Sequence, residues 1–311
     1  MKKYILKRVL TSIATLFVIL LVLFILMDLM PGTPFNDEKL TEAQKALLYA
    51  KYGLDQPLLT RFFLYAKNML KGDLGVSYAI NKNFAVSDMI KDRLGISIAV
   101  GAMAMIIGTI LGLLLGIIAA LNHNTWIDNL CSAISVIGVS IPSYVVALLL
   151  CYYVAYKFGW LPILYNVDQP FVSLILPALA LSVSPTANIA RFTRSEMIDV
   201  MNSDYILLVE SKGVKNYQMI IGHVLRNTMI PVITVMGPIL VNLLTGSSVI
   251  EKIFGIPGIG RLMITAIQEN DYNVTIACAF VYSVMYIVVM LFVDILYGVI
   301  DPRIRITKEE G

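Results

Sequence analysis

The chain has 311 residues, 58% of them hydrophobic and only 14% charged, with a net charge of +3. A soluble domain carries about 25% charged residues, so there is too little polar surface here to cover a water-soluble body of this length. The small net charge gives no reason to expect a nucleic-acid partner, and two distant histidines with three cysteines inside apolar runs exclude a His/Cys metal cluster.

Six apolar stretches have spanning length, near residues 9–27, 96–121, 130–156, 171–190, 229–250 and 276–300. A crossing needs roughly 20 residues, and lipid offers the backbone no partners, so the spans are predicted to be helices of an all-α integral membrane protein forming one domain. The first stretch follows MKKYILKR, a basic start resembling that of a signal peptide. Its apolar run is too long for one and no small-residue cleavage site follows, so an uncleaved anchor is expected.

The segment 31–95 is long and polar, and is expected to lie outside and to be folded. Thr41 with Gln44 reads as a capping box for a helix ending before Gly53. Asp55 and Pro57 start a second helix that stops near Gly72. In the second span Gly108, Gly112 and Gly116 recur every four residues, a bare stripe that lets a neighbouring backbone approach. In the third, GVSIPS (138–143) is predicted to kink the helix. Either feature suits helices that tilt against one another or simple tight packing.

Basic residues set the orientation. Lys2, Lys3, Lys7, Arg8, Arg191, Arg194, Lys212, Lys215, Arg226, Arg303, Arg305 and Lys308 fall on one side if the N-terminus is cytoplasmic, whereas the short loops opposite hold only Lys157, Lys252 and Arg261. Both termini and the segment 191–228 are therefore expected in the cytoplasm.

Catalytic equipment is missing from the sequence. None of the twenty glycines is followed by lysine, which excludes a standard phosphate loop, and neither Gly-x-Ser-x-Gly nor His-Glu-x-x-His occurs. A voltage-gated channel would need an arginine ladder and a TVGYG-type filter, both lacking. A transport or scaffolding role dependent on other subunits remains. The stretch ESKGVKNYQMIIGHVLRN (210–227) is polar between two spans. Asn202, Ser203 or Asp204 can cap a short helix to about Lys212, Gly213 can turn the chain, and a second helix can start near Asn216. Such a helix–turn–helix either docks in another protein's groove or lies as a connector on the headgroups.

The segments RFTRSEMIDVMNSDYILLVESKGV and HVLRNTMIPVIT resemble the cytoplasmic loop of binding-protein-dependent ABC importer permeases, in particular the dipeptide/oligopeptide branch. LMPGTPF (29–35), KYGLDQPL (51–58), KGDLGVSY (71–78), FGWLP (158–162), LILPALAL (174–181), TGSSVIEKIFGIPGIGRL (245–262) and VDILYGVIDPRIR (293–305) extend the likeness along the chain, most closely to B-type subunits of the oligopeptide branch in Gram-positive bacteria. Leu207-Leu208-Val209 departs from that loop's Glu-Ala-Ala.

The resemblance implies a type I ABC importer permease fold and a path for oligopeptides in the plasma membrane. It implies a homologous second permease, two ATP-binding subunits and an extracytoplasmic peptide-binding protein as partners. It implies no cofactor in this chain, with ATP and Mg on the partner ATPases. The coupling role carries to Asp204, Tyr205, Glu210, Ser211, Lys212 and Gly213. An outer gate carries to Glu251, Phe254, Gly255, Pro257, Gly258 and Gly260, in a segment whose glycines and proline are expected to prevent a continuous helix; a tight surface turn is the other reading. Path-lining candidates are Ser182, Ser184, Asn188, Asn242, Thr245 and Ser247. Asp294 in the last span is expected to pair with an inner-face arginine such as Arg226. Rival readings are a dipeptide or nickel–chelate permease of the same family and, from another class, a channel or passive scaffold.

Overall fold

The computed structural model describes residues 2–29, 41–244 and 248–300, with the side chains of all of these except 2–7, 28, 52 and 294–300. The described chain is helical, and its only β pairing is an isolated bridge between Val76 and Ala85. It divides into two compact units, one within Met1–Ser97 and Pro257–Ile287 and the other within Ile98–Ile256 and Val288–Gly311.

In the first unit, α1 (Lys2–Leu29) receives α3 (Leu58–Met69), which follows α2 (Glu42–Tyr52) in the polar segment. The capping box forms as the sequence predicts: Gln44 N–H donates to Thr41 Oγ1, and Thr41 N–H donates to Gln44 Oε1 at 2.9 Å. Aromatic packing fixes α3 to α1. Phe62 is 1% exposed and meets Phe17 and Phe24 edge-on at centroid distances of 5.2 and 5.5 Å. The same unit holds the start of α4 (Val86–Leu121), α13 (Ile259–Gln268) and the start of α14 (Tyr272–Ile300). Ile259, Leu262 and Ala266, on one face of α13, pack against Val86, Met89 and Ile90 of α4 and Val274, Ala277 and Cys278 of α14. Ser97 Oγ accepts from Ile259 N–H at 3.0 Å, satisfying an otherwise orphaned donor at the N-terminus of α13.

The second unit is built around α8 (Ile175–Met201), which follows the single turn α7 (Pro170–Ser173). Around α8 pack α5 (Trp126–Ser140), α6 (Ser143–Leu150, prolonged by a π-helical stretch to Lys157), and α11 (Leu225–Leu244). The glycine stripe of α4 lies directly on α8. A Cβ on Gly108, Gly112 or Gly116 would come within 2.6 Å of Pro185 Cβ, 2.8 Å of Ile189 Cβ and 2.6 Å of Thr193 Cβ, respectively. Two four-residue ladders thus interlock, and hydrogen is the only side chain that fits. Gly138 of α5 approaches Ala187 on another side of the same helix.

The helices divide differently from the expected apolar stretches. Among the described residues, four stretches are long and apolar enough to cross a membrane: Arg8–Met27, Val86–Leu121, Asn216–Ile253 and Tyr272–Val293. The predicted third span, 130–156, is not one helix. Trp126–Ser140 and Ser143–Lys157 meet at 98° around Ile141–Pro142, so the kink expected at GVSIPS is a full break. Counting this pair as one broken span raises the number to five. The predicted fourth span, 171–190, belongs to a helix that starts at Ile175, continues to Met201 and is not apolar enough to qualify. The reason is packing: Leu176, Ala180, Pro185, Ile189 and Thr193 of α8 are buried against protein, so this helix need not be compatible with lipid. The second span begins earlier than 96, because α4 takes up Val86 to Gly95 from the polar segment. The three cysteines are free, Cys131 and Cys278 buried and Cys151 half-buried.

Candidate functional site

The polar stretch between two apolar runs folds as two short helices across a glycine turn. α9 (Asp204–Ser211) begins after Ser203, whose hydroxyl turns back to donate to the Val200 carbonyl, at 2.6 Å, and does not cap the new helix. Asp204 stands in the first turn, where a carboxylate complements the positive end of the helix. Gly213 has φ = +76°, a left-handed conformation that a Cβ disfavours, and its N–H closes the turn on the Glu210 carbonyl at 2.8 Å. α10 (Asn216–Met219) follows, then a π-helical turn, Ile220–Val224, leading into α11.

The two faces of this loop differ. Ile206, Val209, Met219 and Val224 are buried in one cluster with Ala120 at the end of α4 and Met197 of α8, which welds the loop to the bundle. Leu207, Leu208, Tyr217 and Ile221 are 65%, 56%, 59% and 66% exposed. The departure from Glu-Ala-Ala therefore puts two leucines on the outward side. Tyr205 hydroxyl is hydrogen-bonded to His223 Nδ1, tying α9 to the π-helical turn. Ser211 Oγ donates to the Leu207 carbonyl at 2.8 Å, while Glu210 and Lys212 stand exposed.

Behind the loop lies a charged cluster that the sequence reading did not single out. Asp128, near the start of α5, is 2% exposed. Arg194 of α8 grips it with both arms of the guanidinium, Nε to Oδ1 and Nη2 to Oδ2, the latter at 2.7 Å. Asn124 N–H donates to Oδ2 at 3.0 Å, and Ser132 Oγ donates to Oδ1 at 3.4 Å. His123 Nδ1 lies 3.3 Å from both Asp128 Oδ2 and Arg194 Nη2. It can donate to the carboxylate or accept from the guanidinium, but not both. Only Arg194 was visible beforehand, as one of the inside-facing basic residues. Its partner lies 66 positions earlier, beyond the reach of local pattern reading.

The remaining candidates separate. On α8, Ser182 is buried and donates to the Leu179 carbonyl at 2.9 Å. Ser184 is exposed and Asn188 half-buried one turn further on, with Asn188 Nδ2 donating to the Ser184 carbonyl at 2.9 Å. Asn242 is exposed on α11, while Thr245 and Ser247 lie outside the described residues. The expected pairing of Asp294 with Arg226 also falls outside them, since the side chain of Asp294 is not described.

The segment 249–262 is not one continuous helix, as its glycines and proline predict: α12 (Ser248–Ile253) ends before a turn at Gly255, φ = +65°, and α13 starts after Gly258. Glu251, Phe254 and Gly255 belong to the second unit, and Pro257, Gly258 and Gly260 to the first. Phe254 and Ile256 are fully buried, and Tyr165 N–H donates to the Phe254 carbonyl at 2.8 Å.

Sequence reading also missed Asp271. This buried carboxylate, just before α14, accepts from Ser77 Oγ and from the backbone N–H groups of Tyr78, Ala79 and Ile80, the last two at 3.0 and 3.2 Å. Asn273 Nδ2 adds a bond to the Val76 carbonyl at 2.9 Å. The stretch KGDLGVSY is thus held through its main chain by residues nearly 200 positions away.

Long apolar helices, a broken pair and interlocked glycines, with a two-helix loop welded to their base, define a multi-pass helical membrane protein. The family described as the binding-protein-dependent transport system inner membrane component matches residues 112–306, and the chain belongs to it. It is 42% identical over 306 residues to the dipeptide transport system permease protein DppB of Lactococcus lactis, covering 98% of this chain and all of that one. Identity to the oligopeptide transport system permease protein OppB of Escherichia coli is 39%, with the same coverage. Among solved structures, an inward-facing MetNI methionine ABC transporter superposes with a TM-score of 0.57 at 14% identity, covering 68% of this chain and 96% of that one. The fold is thus that of ABC importer permeases, and the chain is a transport component of the membrane.

Proposed function

We propose that the chain is one of two membrane subunits of an ATP-driven peptide importer, forming the translocation path for oligopeptides handed over by an extracytoplasmic binding protein. The observation that carries the coupling part of this reading is the two-faced loop at 204–224. Its inner face is fixed to α4 and α8, and its outer face offers Leu207, Leu208, Tyr217 and Ile221 to a partner. An outward apolar face on a rigidly mounted helix suits a groove in an ATP-binding subunit better than water. ATP and Mg belong to two such subunits, since this sequence has no phosphate loop. Closure of the ATPases biases the spans between inward and outward access through Asp204, Tyr205, Glu210, Ser211, Lys212 and Gly213.

In this reading six spans cross the plasma membrane of a Gram-positive bacterium, the broken pair 126–157 and α8 counting as two of them. Both termini face the cytoplasm and the segment 31–95 lies outside. Ser184, Asn188 and Asn242, with Ser182, Thr245 and Ser247, border the path, and the segment from Glu251 through Phe254, Gly255, Pro257 and Gly258 to Gly260 serves as the outer gate. The membrane partner is a homologous permease.

The names of the relatives support peptide transport, and a second reading, a dipeptide importer, is favoured by the two relatives at 42% and 40% identity, both named as dipeptide permeases. The deciding experiment is mass spectrometry of the ligands retained by the cognate binding protein, followed by uptake in proteoliposomes containing the full complex. Retention of peptides of four or more residues and ATP-dependent uptake are expected; retention of dipeptides alone selects the second reading, and ATP-independent flux overturns both.

A further inference from the structure

The importer reading needs a route by which movement of the loop reaches the helices that line a path. The loop's buried anchors meet Ala120 at the end of α4 and Met197 of α8, and the loop runs on into α11. Further along, α5 also packs on α8, where Gly138 approaches Ala187 and Val183, apolar groups that set distance but not direction. At the loop end, α5 and α8 are joined by the directional pair Asp128 with Arg194.

This contact is stiff by construction. The carboxylate is almost inaccessible, and each oxygen is held by one guanidinium nitrogen and at least one further donor, from Asn124 or Ser132. Asn124 stands in the turn joining α4 to α5, at φ = +61°, so the same carboxylate also clamps that turn. A bidentate, charge-assisted pair fixes direction as well as distance, which a single hydrogen bond does not. Arg194 itself lies ten residues before Asp204, on the helix that ends at the loop.

We propose that Asp128 is a positioning residue for coupling: by locking Arg194 it makes the base of α8, the α4–α5 turn and α5 move as one body with the loop. The broken helix pair then receives the displacement at its α5 end. Without the lock, α8 and the loop still respond to the ATPases, but α5 lags and hydrolysis runs with less transport. The inference rests on the importer reading above.

The test uses the complete transporter in proteoliposomes, with peptide uptake and ATP hydrolysis measured on the same preparation. The readout is peptide transported per ATP hydrolysed. Loss of folded complex lowers both rates together and leaves this ratio unmoved. For D128N the ratio is expected to fall at least about three-fold, within the range by which residues outside both sites alter coupling. R194K keeps the charge but loses the planar fork, so it should fall between wild type and D128N. If D128N yields no complex, R194K decides alone, because its head group is at the partly exposed side of the pair. An unchanged ratio in the variant that assembles overturns the proposal. A wild-type complex with no ATP-dependent peptide uptake overturns the importer reading instead, and the two failures are distinguishable.

Discussion

Replacing Gly213 with valine probes the loop at its turn. Nothing lies within 4 Å of the position a Cβ would occupy, so the substitution creates no clash. Its cost is conformational alone. At φ = +76° an L-residue pays about 1–2 kcal/mol, and β-branching adds to this. The anchors on either side, Val209 and Met219, are buried and hold the ends of the turn. The chain must either keep the strain or relieve it by swinging α9 and breaking the Gly213 N–H to Glu210 bond. Since 1.4 kcal/mol is a factor of ten, the docking-competent arrangement should lose about five- to thirty-fold in population. Core and membrane helices are untouched, so abundance in the membrane should stay near wild type. Uptake and peptide-stimulated ATP hydrolysis in vesicles should drop by that factor. G213N is the control, because asparagine tolerates the left-handed region better and should retain more activity. Wild-type uptake by G213V, or an asparagine variant no better than valine, would refute the reasoning.

Three further outcomes follow from packing. Gly112→Ala forces a methyl to 2.8 Å from Ile189 Cβ and the Thr186 carbonyl and should destabilise the protein by about 1–3 kcal/mol, whereas Gly95→Ala in the same helix meets nothing and should stabilise it by about 0.4–1 kcal/mol; thermal unfolding of the purified protein in detergent compares them. Phe62→Ala removes the ring lodged between Phe17 and Phe24, at a cost of about 3–5 kcal/mol, and should expose residues 41–72 to limited proteolysis while the rest stays protected. Asp271→Asn removes the charge that collects four donors, costing about 2–3 kcal/mol, and should speed amide exchange at Tyr78 to Ile80; unchanged exchange there would show that the carboxylate does not hold the stretch.

Legibility in the sequence varied with the range of the interaction. The capping box at Thr41 and an interruption at GVSIPS, expected as a kink, could be read because each is made by residues a few positions apart. The glycine stripe was legible as a bare face, but not its occupant. Hydropathy marked 171–190, whereas α8 runs from Ile175 to Met201, its second half held by buried Ile189, Thr193 and Met197, which a hydropathy run does not register. The burial of Phe254 was not legible, because composition does not say which side of an apolar residue the rest of the chain covers. The turn at Gly213 was legible and its positive φ agrees, whereas Tyr205 has a partner, His223, that no local rule supplies.

What the chain settles by itself is what depends on composition and near neighbours: a helical body too apolar for water, no phosphate loop, and a glycine turn between two short helices in a polar interruption. Tertiary structure alone decided which faces are buried. It brought Asp128 to Arg194 across 66 positions, set Asp271 over the amides of residues 78–80, and pressed the α4 glycines onto α8. A buried charge or a missing side chain becomes informative only when its partner is known, and these partners are set by packing between distant segments.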